Sequence, residues 1–216
     1  MTRPIVFGAS YSVYVRIVRL ALEEKQVAYE LIPVDVFAPG GVPAEHLQRH
    51  PFGRIPAFEH DGFRLYEAGA ITRYVDDTFP GASLLPARPR DRARAHQIIS
   101  ILDSYAYRTL VWDLYVERVR APQQGRAPDE ARIAAALPRA HTCLRALAQL
   151  KSHPVWLAGD ALSLADLHAA PMFALLRLAE EGARLLADHP GLSAWWDAIA
   201  QRPSMVATRF PIEQGR

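Results

Sequence analysis

Pro4-Ile5-Val6-Phe7-Gly8-Ala9-Ser10-Tyr11-Ser12 is followed by apolar residues at Val13, Ile17, Val18, Ala21 and Leu22. The apolar run reads as a short buried strand ending at Gly8, and the spacing after it predicts a helix over residues 13–25. Ser12 stands just before that stripe, where a hydroxyl can cap the free N–H groups of a first helical turn. A strand, a tight connection and an amphipathic helix in this order set up an α/β layer.

Working outward, residues 28–34 read as a second strand, with Pro33 restricting how it pairs. Residues 55–59 and 63–67 flank His60-Asp61-Gly62, a hairpin signal, and residues 69–79 return to helical spacing. The first domain, residues 1–80, is therefore α/β: β-α-β, a poorly structured middle, then β-β-α. Pro80, Gly81, Pro86 and Pro89 mark residues 81–90 as a linker. Beyond it the chain is rich in Ala, Leu and Arg. Helices are expected over residues 91–119 and 129–151, the second kinked at Pro138, and over residues 191–201. Ser163-Leu164-Ala165-Asp166 reads as a capping box with Asp in place of the usual Glu. The second domain, residues 91–216, is expected to be all-helical.

Half of the 216 residues are apolar and 22% are charged, an ordinary globular composition. Lys+Arg 25 against Asp+Glu 23 leaves a net charge of +2, too small to argue for a nucleic-acid partner. The single cysteine, Cys143, excludes an internal disulfide framework, a CxxC redox pair and a thiolate zinc site. With no HExxH, His/Cys cluster, P-loop or GxGxxG, no metal or nucleotide is expected. Gly8-Ala9-Ser10-Tyr11-Ser12 lacks the second glycine of a nucleophile elbow, which removes the hydrolase reading. After Met1-Thr2-Arg3-Pro4 only three strongly apolar residues precede Gly8, too few for a signal-peptide core. The most apolar stretch, residues 162–179, is interrupted by Asp166, His168, Pro171 and Arg177. A cytoplasmic protein without a membrane partner is expected.

Several blocks resemble one family. They are residues 8–12 with Arg16 and Ala21-Leu22-Glu23-Glu24-Lys25; His50-Pro51-Phe52-Gly53-Arg54-Ile55-Pro56-Ala57-Phe58; and Leu65-Tyr66-Glu67-Ala68-Gly69-Ala70-Ile71-Thr72-Arg73-Tyr74. In the second half they are Trp156-Leu157-Ala158-Gly159-Asp160 with residues 163–168, and residues 189–192 through Trp195, Arg202 and Pro203. In this order the chain resembles the cytosolic glutathione S-transferases of serine type, the phi class most of all. The resemblance implies a thioredoxin-like first domain that binds glutathione as co-substrate. It also implies a helical domain that supplies the pocket for a small electrophile, and a homodimer. By matched position, Ser12 would donate to the glutathione sulfur. Pro56 would be cis and present the Ile55 backbone to the cysteinyl unit, while Glu67 and Ala68 would hold the γ-glutamyl end. Arg54 stands where glutamine is usual. Ser10 and Tyr11 adjoin Ser12, and Tyr11 is the alternative donor.

A free thiol of pKa ~8.5 is only about 3% ionised at pH 7, and the thiolate is the nucleophile. Lowering that pKa by about two units takes about 2.7 kcal/mol. A hydrogen bond to a charged acceptor supplies roughly 1.5–3 kcal/mol, and the positive helix end about 0.3–1. A serine hydroxyl at a helix start is therefore sufficient.

Two departures bear on the glutathione site. Ala68 replaces the usual serine, and residues 37–43, where basic side chains are expected, contain no Lys or Arg. His46, Arg49 and Arg54 are the candidate substitutes, and a weakened or altered glutathione site is expected. Tyr105, Arg108, Trp112 and Tyr115 recur at helical intervals, consistent with core packing or with an aromatic pocket wall that Tyr11 and Tyr14 face. Asp103 could reach a partner subunit's glutamyl amine, and Phe52 could pack on a neighbouring subunit. Cys143, His168, Trp195 and Trp196 read as packing residues and Asp166 as a cap. Three functions remain open: a transferase, another glutathione-dependent enzyme such as a peroxidase or dehalogenase, and a non-enzymatic binding or assembly protein.

Overall fold

The computed structural model describes residues 2–214; Met1, Gly215 and Arg216, the outermost residues of the two expected domains, lie outside it. Contacts divide the chain into two units. The first runs to Leu84 and takes in the chain again from Arg202; the second is Leu85–Gln201. The sequence reading instead runs the helical part through to residue 216.

The first unit contains β1 (Ile5–Phe7), α1 (Val13–Glu24), β2 (Glu30–Ile32), α2 (Ala44–Leu47), β3 (Ala57–His60), β4 (Phe63–Tyr66) and α3 (Ala68–Thr78). The sheet order is β2-β1-β3-β4. β1 and β2 are parallel, which requires a crossover, and α1 supplies it. The β1–β3 and β3–β4 pairs are antiparallel, so the expected β-α-β and β-β-α units form one sheet. Val6 and Phe58, directly opposed across β1 and β3, are buried on one face. Alternation places their neighbours Phe7 and Ala57 on the other face, packed with Val34. Asp61 and Gly62 both have positive φ, the requirement of a two-residue hairpin turn.

β2 ends at Ile32, immediately before Pro33, and is shorter than its apolar run suggests. Helix α2, four residues long, lies in the stretch read as unstructured, because one turn is too short to show a period. Lys25, at the end of α1, extends its ammonium to Asp76 Oδ1 (3.1 Å) and to the carbonyls of Asp76 (3.1 Å) and Ala82 (3.2 Å). All three of its donors are thereby satisfied.

In the second unit α4 (Pro89–Ile101) runs into a π-helical stretch, Leu102–Arg120, and a closing turn, α5 (Ala121–Gln123). This corrects the expectation of one uniform α-helix. The Ala121 N–H donates to the carbonyl of Val116, five residues back. Leu102, Ala106, Leu110 and Leu114 recur every four residues and all are fully buried, which marks the side of the stretch that faces the core. Two acids of this stretch, Asp113 and Glu117, are buried. Asp113 accepts from Arg108 Nε (3.2 Å), Arg132 Nε (2.8 Å) and Arg139 Nη2 (3.1 Å). Glu117 accepts from Arg126 and Arg132 Nη1 at 2.7 and 2.9 Å. The shared Arg132 makes this a network rather than a set of isolated surface pairs.

α6 (Glu130–Leu150) passes through Pro138 without ending. α7 (Leu164–Leu176) is buried along its whole length and is followed by α8 (Glu180–Ala187) and α9 (Pro190–Ala200). Asp166 is the capping acid expected. Its Oδ2 takes the Ser163 N–H and hydroxyl at 2.8 and 2.7 Å, and its Oδ1 takes the Leu157 N–H and the Trp195 indole, both at 2.8 Å.

The chain then rejoins the first unit as α10 (Pro203–Ala207) and a short turn, Pro211–Glu213. Arg202 clasps Glu24 of α1 with two bonds of 2.7 and 2.6 Å. Arg16 of α1, 1% exposed, reaches Glu213 (2.6 Å) and the Met205 carbonyl (3.1 Å), with its guanidinium 4.3 Å from the Phe210 ring centroid. Among the described residues no helix is long and apolar enough to cross a membrane.

Candidate active site

Strand register brings the expected glutathione-side residues of the first unit to one end of the sheet. Phe7 pairs with Ala57, and Ala57 with Tyr66. The next residues outward are therefore Gly8 leading to Ser12, Pro56 preceding β3, and Glu67 following β4. The Ile55–Pro56 bond is cis. Gly8 lies so close to its neighbours that a Cβ there would stand 2.4 Å from Val15 Cγ2 and 3.3 Å from Ile55 Cβ. Only glycine leaves room at this turn for the Val15 side chain of α1.

Ser12 is the N-cap of α1, half-buried, with its Oγ accepting from the Val15 N–H at 3.4 Å. That bond is long, and it uses the oxygen rather than the hydroxyl proton. Among the described residues no acceptor engages that proton. Tyr11 differs: its hydroxyl donates to Asp35 Oδ1 at 2.6 Å, and this bond holds the Asp35 carboxyl below the usual carboxylate range. Ser10 is exposed and Tyr14 half-buried on α1.

Glu67 precedes α3 with φ at 70°, a strained backbone for a side-chain-bearing residue. Its carbonyl takes the N–H groups of Ala70 and Ile71, both at 3.0 Å, while its side chain makes no cap and is exposed. Ala68 and Gly69 begin the helix, where backbone N–H groups have no intrahelical partner. Ala68 is 5% exposed and contributes no hydroxyl. Arg54 is exposed, and its carbonyl lies 2.8 Å from Nε2 of the buried His46. Arg49, the other cation near this turn, stacks 4.3 Å from the Phe7 ring. His50 packs on Tyr66 at 4.8 Å between ring centroids, and burial lowers its pKa.

In the second unit the four residues read as one face are separated. Tyr105 and Arg108 line a cleft of about 680 Å³ between the π-helical stretch and α6, with Ile101, Pro138 and Cys143. Trp112 is not among the lining residues, and Tyr115 is 6% exposed. The altered period of the π stretch accounts for the separation. Among the described residues no group of three His, Cys, Asp or Glu side chains could hold a metal.

Residues 6–83 match the family model of the glutathione S-transferase N-terminal domain, and residues 104–203 that of the C-terminal domain. Glutathione S-transferase 4 of Zea mays is 32% identical over 212 residues, spanning 97% of this chain and 94% of the relative. The chain belongs to the glutathione S-transferase family. The relatives and solved structures it resembles include phi-class members of the family. The crystal structure of glutathione transferase F7 from Populus trichocarpa has a TM-score of 0.83 at 30% identity, covering 95% of this chain and 97% of that one. Glutathione S-transferase I from mais, in complex with an atrazine glutathione conjugate, has a TM-score of 0.86 at 25% identity, covering 100% of both chains.

Sequence reasoning missed the His46 bond to Arg54 and the strained backbone at Glu67. The first had a faint signal: His46 and His50 fall four apart just before the Pro51-Phe52-Gly53 turn. The second had none.

Proposed function

We propose that this chain conjugates the thiolate of glutathione to small, apolar or aromatic electrophiles, with Ser12 activating the sulfur. The observation that carries the reading is the uncommitted hydroxyl proton of Ser12, held at a helix start beside Ile55–Pro56 and Glu67. In this reading the Ile55 backbone pairs with the cysteinyl unit of glutathione. The Glu67 carboxylate takes the γ-glutamyl ammonium, and the free N–H groups at Ala68 and Gly69 face the adjoining carboxylate. Arg54 supplies a cation that residues 37–43 lack. The Ser12 hydroxyl donates to the sulfur and favours its ionised form, together with the positive end of α1. The thiolate then attacks the electrophilic carbon. A sulfur–carbon bond forms and the displaced group leaves with its electron pair.

The division of labour follows the expected domains: residues 1–80 hold glutathione, residues 81–90 connect, and residues 91–216 supply the electrophile wall. Tyr105 and Arg108, which line the cleft beside α6, are assigned to that wall. A cytoplasmic homodimer completes the reading, supported by Phe52, an aromatic side chain left 70% exposed. One observation favours a second reading, a binding protein with little turnover: Ala68 and the cation-free loop remove two contacts to glutathione carboxylates.

The test is ultraviolet titration of the thiolate of bound glutathione across pH, in wild type and Ser12→Ala. A bound pKa below that of free glutathione, raised again in Ser12→Ala, is expected. Binding without a lowered pKa selects the second reading. No measurable binding overturns both.

A further inference from the structure

Three histidines of the first unit, His46, His50 and His60, are almost wholly buried, and two of them make hydrogen bonds to quite different groups. His60 is the last residue of β3, at the sheet end away from Ser12, and its Nδ1 meets the Tyr74 hydroxyl at 2.9 Å. His46, 1% exposed on α2, meets a backbone carbonyl, that of Arg54, at 2.8 Å. A carbonyl can only accept, so His46 Nε2 carries the hydrogen. Its other nitrogen, Nδ1, is buried with no partner among the described residues. The one bond the imidazole makes lands on the residue immediately before Ile55–Pro56.

We infer that His46 is a positioning residue of the glutathione site. It fixes the Arg54 carbonyl and so sets both the path of the Ile55 backbone and the origin of the Arg54 side chain. α2 lies between the cation-free loop and this turn, so His46 is the link through which the loop side braces the binding segment. The inference rests on the glutathione reading above and concerns binding of that co-substrate, not the chemical step.

Steady-state kinetics of His46→Leu, His46→Gln and His60→Leu test it. His46→Leu should raise KM for glutathione about 5- to 10-fold. Its kcat and its KM for the electrophile should stay near wild type. His46→Gln, which keeps an N–H donor, should recover most of the loss. His60→Leu should lower the melting temperature without moving KM for glutathione. An unchanged glutathione KM in a folded His46→Leu overturns the inference alone, while absence of glutathione binding by wild type overturns the underlying reading with it. Should His46→Leu not fold, ¹⁵N–¹H NMR of the wild-type histidines decides. A proton on Nε2 whose resonance shifts on adding glutathione supports the role; a proton on Nδ1, or a resonance indifferent to glutathione, overturns it.

Discussion

Two helices of this protein begin at a serine, and the two serines are held in opposite ways. At α7 the Ser163 hydroxyl donates to Asp166 at 2.7 Å, and the same carboxylate collects the Leu157 and Trp195 N–H groups. Nothing in that cluster has hydrogen-bonding capacity to spare. At α1 the Ser12 oxygen makes one long bond of 3.4 Å to Val15, and its proton is uncommitted among the described residues. The residue three places on decides the difference. Asp166 takes the proton of its serine; Val15 has nothing to take it with. A helix-capping hydroxyl is structural when its proton is bound inside the protein and chemically useful when it is not.

That contrast breaks most visibly at the acid. Asp166→Ala strips four donors of their acceptor in a fully buried site and should cost about 3–5 kcal/mol, read by urea unfolding. A loss under about 1 kcal/mol would mean the cluster is not the anchor described. Ser12→Ala should act on turnover, lowering kcat/KM about 10- to 100-fold while unfolding free energy changes by less than about 1 kcal/mol. Ser163→Ala is its mirror image. About 1–2 kcal/mol of stability is lost, and kcat/KM stays within about twofold of wild type. Equal effects of the two serine variants on both readouts would erase the distinction.

Tyr11→Phe sharpens the comparison by the smallest effect, because the Tyr11 proton already belongs to Asp35. Thiolate activation should change less than about threefold, since the hydroxyl removed is not the donor. The Asp35 carboxyl, which that hydroxyl depresses, should titrate closer to its ordinary value when followed by NMR. The sign follows from the depression. In wild type the bond's contribution is complete above the unfolded Asp35 pKa and is lost as pH falls through the lower folded value. Tyr11→Phe should lack that acid-side loss.

How much of this was legible depended on the range of the signal. The sheet and its flanking helices could be read because Val13–Leu22 and the Asp61-Gly62 turn carry local patterns. The Ser163–Asp166 cap was equally local. The cis bond at Pro56 and the place of Glu67 followed from resemblance, not from spacing. The π-helical stretch has no such local signal: the four-residue interval from Leu102 to Leu114 suits an α-helix equally, and α-helical spacing puts Tyr105 and Trp112 on one face. Arg16 pairs with Glu213, and nothing in its sequence neighbourhood could name that partner. Partners that distant are chosen by the fold.

The clasp of the chain's last turns on α1 also has a consequence in time. Arg16 and Glu213 are separated by 197 positions. At roughly 5–20 residues per second of synthesis, about 10–40 s pass between making the cation and making its carboxylate. For most of that interval the helix that begins at Ser12 has the whole sheet to pack on, but a guanidinium destined for burial has no anion to meet. The first unit to leave the ribosome is thus the last to be completed.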